Sequence, residues 1–153
     1  MTVKRLAYAI IFLVLSGTAY AGSATDEAFQ TLADEYISEL TSFSPVYATL
    51  IGDHSADDEL DHVDAAARAE VLDLLKEYKA AIDALDFDDL SRANQVDADL
   101  LLHNIESSIW STETLQEWAW NPLYYINISG SSIYGLMARD FAPLEQRLKS
   151  ATA

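Results

Sequence analysis

The sequence predicts an all-α fold, an antiparallel helical bundle. Three observations carry this. Apolar residues recur at spacings of three and four through most of the chain, no stretch alternates convincingly as a strand does, and Ser, Asp and Pro stand where helices would begin. A chain of 153 residues, 50% of them hydrophobic, can enclose a real core rather than remain disordered. With short connections, the helices are expected to pack as antiparallel neighbours.

The first helix is expected from about residue 26 to 40, because Phe29, Leu32, Ala33, Tyr36, Ile37 and Leu40 share one face. Thr25 is its expected cap, and Asp26 and Glu27 suit the positive end of its dipole. Ser44-Pro45 restarts a short helix, since Ser caps well and Pro is pre-set for the first helical position; Gly52 closes it in a left-handed turn. Residues 53–61 form a polar, acidic loop. A long helix follows over 64–85, with Val71, Leu74, Leu75, Tyr78, Ile82 and Leu85 as its stripe. Residues 86–90 break the period. Ser91 caps the next helix, which carries Val96, Leu100, Leu101, His103, Ile105 and Ile109 to about residue 111. From Trp118 the chain reads as an ordered aromatic loop around Asn121-Pro122, with a polar turn over 127–130 and a short helix starting at Ser131 or Ser132 and running through Ala138. Pro143 lies near the start of a final amphipathic helix. No Gly, Asn or Pro closes that helix before Ala153, so the chain is expected to stop inside it.

Lys4 and Arg5 precede the apolar run Leu6 to Leu15, and Ala19-Tyr-Ala21 follows it. This is the three-part pattern of a secretory signal. We expect residues 1–21 to be a signal peptide, 22–153 the mature helical part, and the protein to be exported, periplasmic or secreted. The apolar run is shorter than the about 20 residues a membrane span requires, so no stable membrane anchor is expected. There is no cysteine, which removes Cys acylation and disulfides alike. The formal charge is −16; without Lys4 and Arg5, 7 basic residues face 25 acidic ones and the charge is −18. Nucleic acid and anionic membranes are therefore poor partners, because binding them depends on clustered Lys and Arg.

The histidines, His54, His62 and His103, lack the spacing that sets two ligands and a base on one helix face. Read as a calcium loop, residues 53–64 put Asp58 where a Gly must make the turn, so a solvated acidic loop is the better account. His103 is expected to be half-buried beside a hydrogen-bonding neighbour. Gly130-Ser-Ser132 lacks the second Gly of a nucleophile elbow. No residue is assigned as catalytic, cofactor-binding or metal-ligating. The aromatic stretch reads first as a packed corner. Trp120, Tyr124, Tyr125 and Arg139 are nonetheless the candidate substrate groove, since aromatic rings give contact area and a guanidinium suits a carboxylate. Arg139-Asp140 serves equally well as a tie between the last two helices.

Several of these segments together resemble a known bacterial family. They are Phe29 to Leu40 with Asp34-Glu35-Tyr36, Ser44-Pro45 through Gly52-Asp-His54, Leu90-Ser91 with Asp97 to Leu101, Trp120-Asn-Pro-Leu123, and Ile133-Tyr through Arg139-Asp-Phe-Ala-Pro-Leu-Glu-Gln-Arg-Leu148. Their order and spacing resemble the N-terminal part of the family called domain of unknown function 885 (DUF885). The resemblance implies an exported helical protein of several hundred residues, similar to zinc-dependent peptidases of the helical His-Glu type. It also implies that the zinc-binding segment lies far downstream of these residues. The chain would then be the N-terminal fragment of a larger zincin-like protein, a scaffold or lid for a missing C-terminal half and a peptide substrate. It would hold no cofactor itself, with zinc in the full-length parent, and would be inactive alone. Whether the parent is an enzyme stays open. The alternative is a free-standing periplasmic helical binding or interaction module.

Overall fold

The computed structural model describes residues 23–153, and every described element is helical. The expected signal peptide, residues 1–21, lies outside the described residues.

Helix α1 spans Ala24–Phe43. Ser23, not Thr25, caps it: the Ser23 hydroxyl accepts from Asp26 N at 3.0 Å and Ser23 N donates to the Asp26 carboxylate at 3.3 Å. Reciprocal capping needs an acceptor three residues on, which Ser23 has in Asp26 and Thr25 lacks. Helix α2, Pro45–Ile51, begins at Ser44-Pro45 and ends in Gly52 at φ 101°, as its sequence implies. Helix α3, Ala65–Asp83, starts from Asp64, whose carboxylate accepts from Ala66 N and Ala67 N. A 3-10 turn, Phe87–Asp89, leads to Ser91 and helix α4, Arg92–Trp110.

The buried face of α4 is not the expected one. Asn94, Ala98 and Ile105 are buried, with Leu101, Leu102 and Ile109 packed beside them, whereas Val96, Leu100 and His103 are exposed. At 100° per residue these three fall on the opposite side from Ala98 and Ile105. His103 is thus a surface residue rather than a half-buried one.

The α4 helix runs on into a π turn, Ser111–Leu115, then Gln116 takes φ 54° and turns the chain into the short α5, Glu117–Trp120. What reads in sequence as an aromatic loop with a polar turn at 127–130 is instead helix α6, continuous over Pro122–Ala138, with Asn121 as its cap accepting from Leu123 N at 3.0 Å. A lone Gly such as Gly130 costs a helix roughly 0.5–1 kcal/mol. That is too little to interrupt a helix whose inner face buries Gly135 and Leu136. The last helix, α7, is Leu144–Ser150, and it ends at Ser150 with Ala151 N donating back to Arg147 O. The amphipathic period after Pro143 therefore does not carry helix on to Ala153.

Helices α1, α3 and α4 enclose the core. Ala98 and Ile105 are fully buried, and Phe29, Tyr36, Leu74, Leu75, Tyr78, Ile82 and Leu90 complete it. Tyr36 and Tyr78 meet edge to face at 5.4 Å, and Tyr78 Oη donates to Glu39 at 3.0 Å. A second group, α2, α6 and α7, packs together beside this core and joins it through α1 and α2.

Two polar ties fasten these layers. Asp26 accepts from Ser91 N at 2.8 Å and Asn94 Nδ2 at 2.7 Å, so one carboxylate serves the first turns of both α1 and α4. Buried Arg147 closes the end of α6, where no backbone cap exists. It donates to Leu136 O at 3.2 Å, Met137 O at 3.1 Å and Ala142 O at 2.8 Å, and pairs with Asp140 at 2.8 Å.

The Ser91 amide, foremost among several donors, holds the Asp26 carboxyl below its ordinary value of 3.8. A lowered folded value means the stabilisation is present above the unfolded value and is lost as pH falls through the folded one. The Asp26→Asn variant, with one acceptor oxygen for three donors, is therefore expected to melt several degrees lower at pH 7. It should also lose less stability than the parent on acidification below pH 3.8. Thermal melts across pH measure both. Arg147→Ala should cost about 3 kcal/mol or more, since one hydrogen bond from a charged donor contributes about 1.5–3 kcal/mol and three carbonyls lose theirs. Arg147→Lys should restore only part. Urea unfolding tests this, and equal stability of the three proteins would sink the assignment.

Candidate functional site

The acidic loop after α2 does more than face solvent. Asp61 accepts from Val46 N at 3.0 Å and from the Ser44 hydroxyl at 2.9 Å, and Asp57 accepts from the Thr49 hydroxyl at 2.8 Å. His54 Nδ1 lies 3.1 Å from Asp57, and its ring stacks on Phe141 at 3.6 Å. Two of the loop's carboxylates thus pin it to α2, and its histidine pins it to the α6–α7 connection. Among the described residues, no group of three or more His, Cys, Asp or Glu is placed to hold a metal ion.

The pinned loop forms one wall of a cavity of about 190 Å³. Asp61, His62 and Val63 supply that wall, the end of α1 gives Leu40 and Phe43, the start of α3 gives Arg68 and Val71, and the far side is Glu117, Trp118, Tyr124 and Ile128. The far side is shaped by the break between α4 and α5. Trp118 Nε1 donates to Thr112 O at 3.1 Å and Trp120 Nε1 to Leu115 O at 2.8 Å, so both indoles satisfy carbonyls left free where the π turn ends. Tyr125 Oη donates to Trp118 O at 2.6 Å. The Arg68 guanidinium lies 4.1 Å over the Trp118 ring and donates to Val63 O. Burial pushes the Tyr124 phenol upward, Tyr125 and Asp61 adding to this and Arg68 opposing it, so Tyr124 stays a neutral donor.

Of the four residues read as a groove, the structure places Tyr124 in the cavity wall. Trp120 is 61% exposed, Tyr125 faces outward with only its hydroxyl tied back, and Arg139 donates to Leu50 O at the end of α2, away from the cavity. Asp140, not Arg139, ties the last two helices, through Arg147. His62 stands out in the sequence only as a histidine without metal-ligand spacing, and Arg68 does not stand out at all. Nothing local marks Arg68, because its partner Trp118 comes from another helix; the nearest signal was the aromatic cluster itself.

A second surface lies on α6. The helix carries no charged residue. On its outer side Leu123, Ile126, Ile133 and Tyr134 are 57%, 60%, 55% and 71% exposed. They recur at helical spacing around Gly130, beside which a Cβ would meet nothing within 4 Å. Its inner side is filled, with Gly135 against Thr49 and Leu50.

A family model described as "Bacterial protein of unknown function (DUF885)" matches residues 45–153. Helix α1, where sequence resemblance also suggests a match, lies outside that span. Among solved structures, the chain is similar to a candidate lipoprotein of unknown function from Shewanella oneidensis, at 28% identity and a TM-score of 0.71. The similarity covers 80% of this chain and 22% of that one, so the chain spans about a fifth of that protein's length. No curated protein matches it.

Gln116 is the one non-glycine residue at positive φ among those described, and it sets the angle of the cavity's far wall. The left-handed region costs an L-residue roughly 1–2 kcal/mol, from which Gly is exempt apart from its greater unfolded freedom. Gln116→Gly is therefore expected to gain roughly 0.5–1 kcal/mol and Gln116→Val to lose at least as much. Urea unfolding of the three proteins checks the order.

Proposed function

Because the chain belongs to the bacterial DUF885 family, we propose that it is a helical interaction module that holds the rest of a longer exported protein across the outer face of α6. One observation carries this reading: a helix of 17 residues without a single charge, half of whose large apolar side chains stand in solvent, in a chain of net charge −16. Exposed apolar faces of this kind mark interaction sites, since leaving them in water forfeits about 25 cal/mol for each Å² that a partner could cover. Gly130 at the middle of the face lets another backbone approach closely. The length of the Shewanella relative supports a larger polypeptide as the occupant, and its description as a candidate lipoprotein supports a place outside the cytoplasm. No helix among the described residues is long and apolar enough to cross a membrane.

The finer reading, a scaffold or lid for a zinc-dependent peptidase-like hydrolase, rests on the sequence resemblance. The described residues do not fit zinc, because they bring no three donors together. The zinc of that reading would have to be held by residues outside them, and no catalytic step is assigned to this chain. A binding or interaction role needs none.

The natural gene, expressed to its own stop codon, tests the proposal. Tyr134, 71% exposed here, should resist nitration in the native protein and react like free tyrosine once the protein is unfolded. In the same protein Ile126→Lys should cost about 2 kcal/mol or more, as burial of an unpaired charge does, whereas on a free surface it would stay within about 0.5 kcal/mol. Ready nitration of native Tyr134 together with a silent Ile126→Lys would overturn the docking role. A stop codon at Ala153 would leave the free-standing module in its place. Stoichiometric zinc with chelator-sensitive peptide hydrolysis would add the hydrolase reading.

A further inference from the structure

In a chain with 25 acidic residues and 9 basic ones, a half-buried cation without a carboxylate partner needs a reason. Lys76, Lys79 and Arg147 each meet a carboxylate. Arg92, Arg139, Lys149 and Arg68 meet none within salt-bridge distance among the described residues, but the first three are exposed, whereas Arg68 is half-buried in the cavity wall. Its guanidinium is held from two sides, by the Val63 carbonyl and by the Trp118 ring. Trp118 is itself fixed by Thr112 O. A planar cation so positioned, with N–H groups to spare, is prepared for a carboxylate.

The same cavity carries the opposite charge. Asp61 already uses both oxygens on the start of α2. Glu117 accepts only from Asn121 Nδ2, at 3.4 Å, and its other oxygen has no partner among the described residues. The lining also includes the apolar side chains Phe43, Val71 and Ile128. A volume of about 190 Å³ suits a single side chain: a cavity of about 150 Å³ takes benzene, and drug-sized ligands need roughly 300–1,000 Å³.

We propose that this cavity binds a zwitterionic α-amino acid with an apolar side chain. Its carboxylate pairs with Arg68, its ammonium with Glu117, and its side chain covers Phe43, Val71 and Ile128. Each simpler ligand leaves a group in conflict. A neutral apolar molecule desolvates both charges without pairing them, an anion alone is repelled by Glu117, and a cation alone by Arg68. The site is separate from the outer face of α6, and the inference does not require that face to be docked.

The experiment is calorimetric titration of the full chain, expressed from its own gene, with L-phenylalanine, L-leucine, N-acetyl-L-phenylalanine and L-phenylalaninamide. The free amino acids should bind saturably, and each blocked form should bind at least about tenfold more weakly. In Arg68→Gln, phenylalanine and its amide should become equivalent; in Glu117→Gln, phenylalanine and its N-acetyl form should. Thermal melts confirm that each variant is folded, and if Arg68→Gln is not, the comparison of the four ligands on the parent decides alone. Absence of saturable binding at about 10 mM, beyond the weakest affinities of practical use, would overturn the proposal. So would N-acetyl-phenylalanine or the amide binding as tightly as the free amino acid, or a folded Arg68→Gln with an unchanged ligand order.

Discussion

One carboxylate, that of Asp26, accepts from Ser23 N, Ser91 N and Asn94 Nδ2, and so joins the starts of α1 and α4. The arrangement reflects a constraint on the whole chain. With few cations to neutralise its acids, the protein satisfies its structural carboxylates with N–H and O–H donors, most of them where a helix begins. Asp64 caps α3, Asp61 accepts at the start of α2, and Asp57 holds Thr49 within α2. Helix N-termini supply unpaired amides and a positive dipole end, so each such bond removes an orphan donor while placing a negative charge where the field favours it. The cavity follows from this, because Asp61 and Asp57 hold the loop that forms its wall against α2.

The other end of the economy is α6, whose 17 residues carry no charge. An acidic surface keeps copies of the chain apart and the protein soluble, and α6 interrupts it. Its C-terminal carbonyls are closed by Arg147, the one buried cation among the described residues, and α2 and α7 cover its inner side. Only the outer side is left open, and its apolar side chains keep a helical register there. The combination of a firmly closed inner side and an uncharged outer side is what an interaction face needs, since the docking element meets a surface that is already ordered.

Local signals were legible in the sequence where physics is local. Ser44-Pro45, Gly52 and Ser91 mark helix ends because capping depends on residues three or four apart, and all three act as their types imply. Thr25 misled because it resembles a cap in isolation, while the reciprocal bond belongs to Ser23 and Asp26. The stretch 127–132 misled for the opposite reason. Asn, Ser and Gly favour turns when nothing else acts on them, but packing of Gly135 and Leu136 against the second layer carries α6 straight through. Tyr124 was found in the candidate groove because aromatic residues are conspicuous, whereas Arg68 was not, because a cation acquires meaning only from what folding sets beside it. His103 shows the limit of periodicity: a helix with apolar residues on two sides does not announce which side is buried.

The cavity and the outer face share one helix, and this links the two. Tyr124 lines the cavity while its neighbours Leu123 and Tyr125 are exposed, as successive residues of a helix must be when they are rotated by 100°. Tyr125 is also tied by its hydroxyl to Trp118 O, and Trp118 carries the ring on which Arg68 rests. A body seated on the outer face would touch Leu123, whereas Tyr125, about 200° further round the helix, faces the other way. The short path from Tyr125 through Trp118 to Arg68 therefore makes the position of the cavity's cation depend on how α5 and α6 are held together.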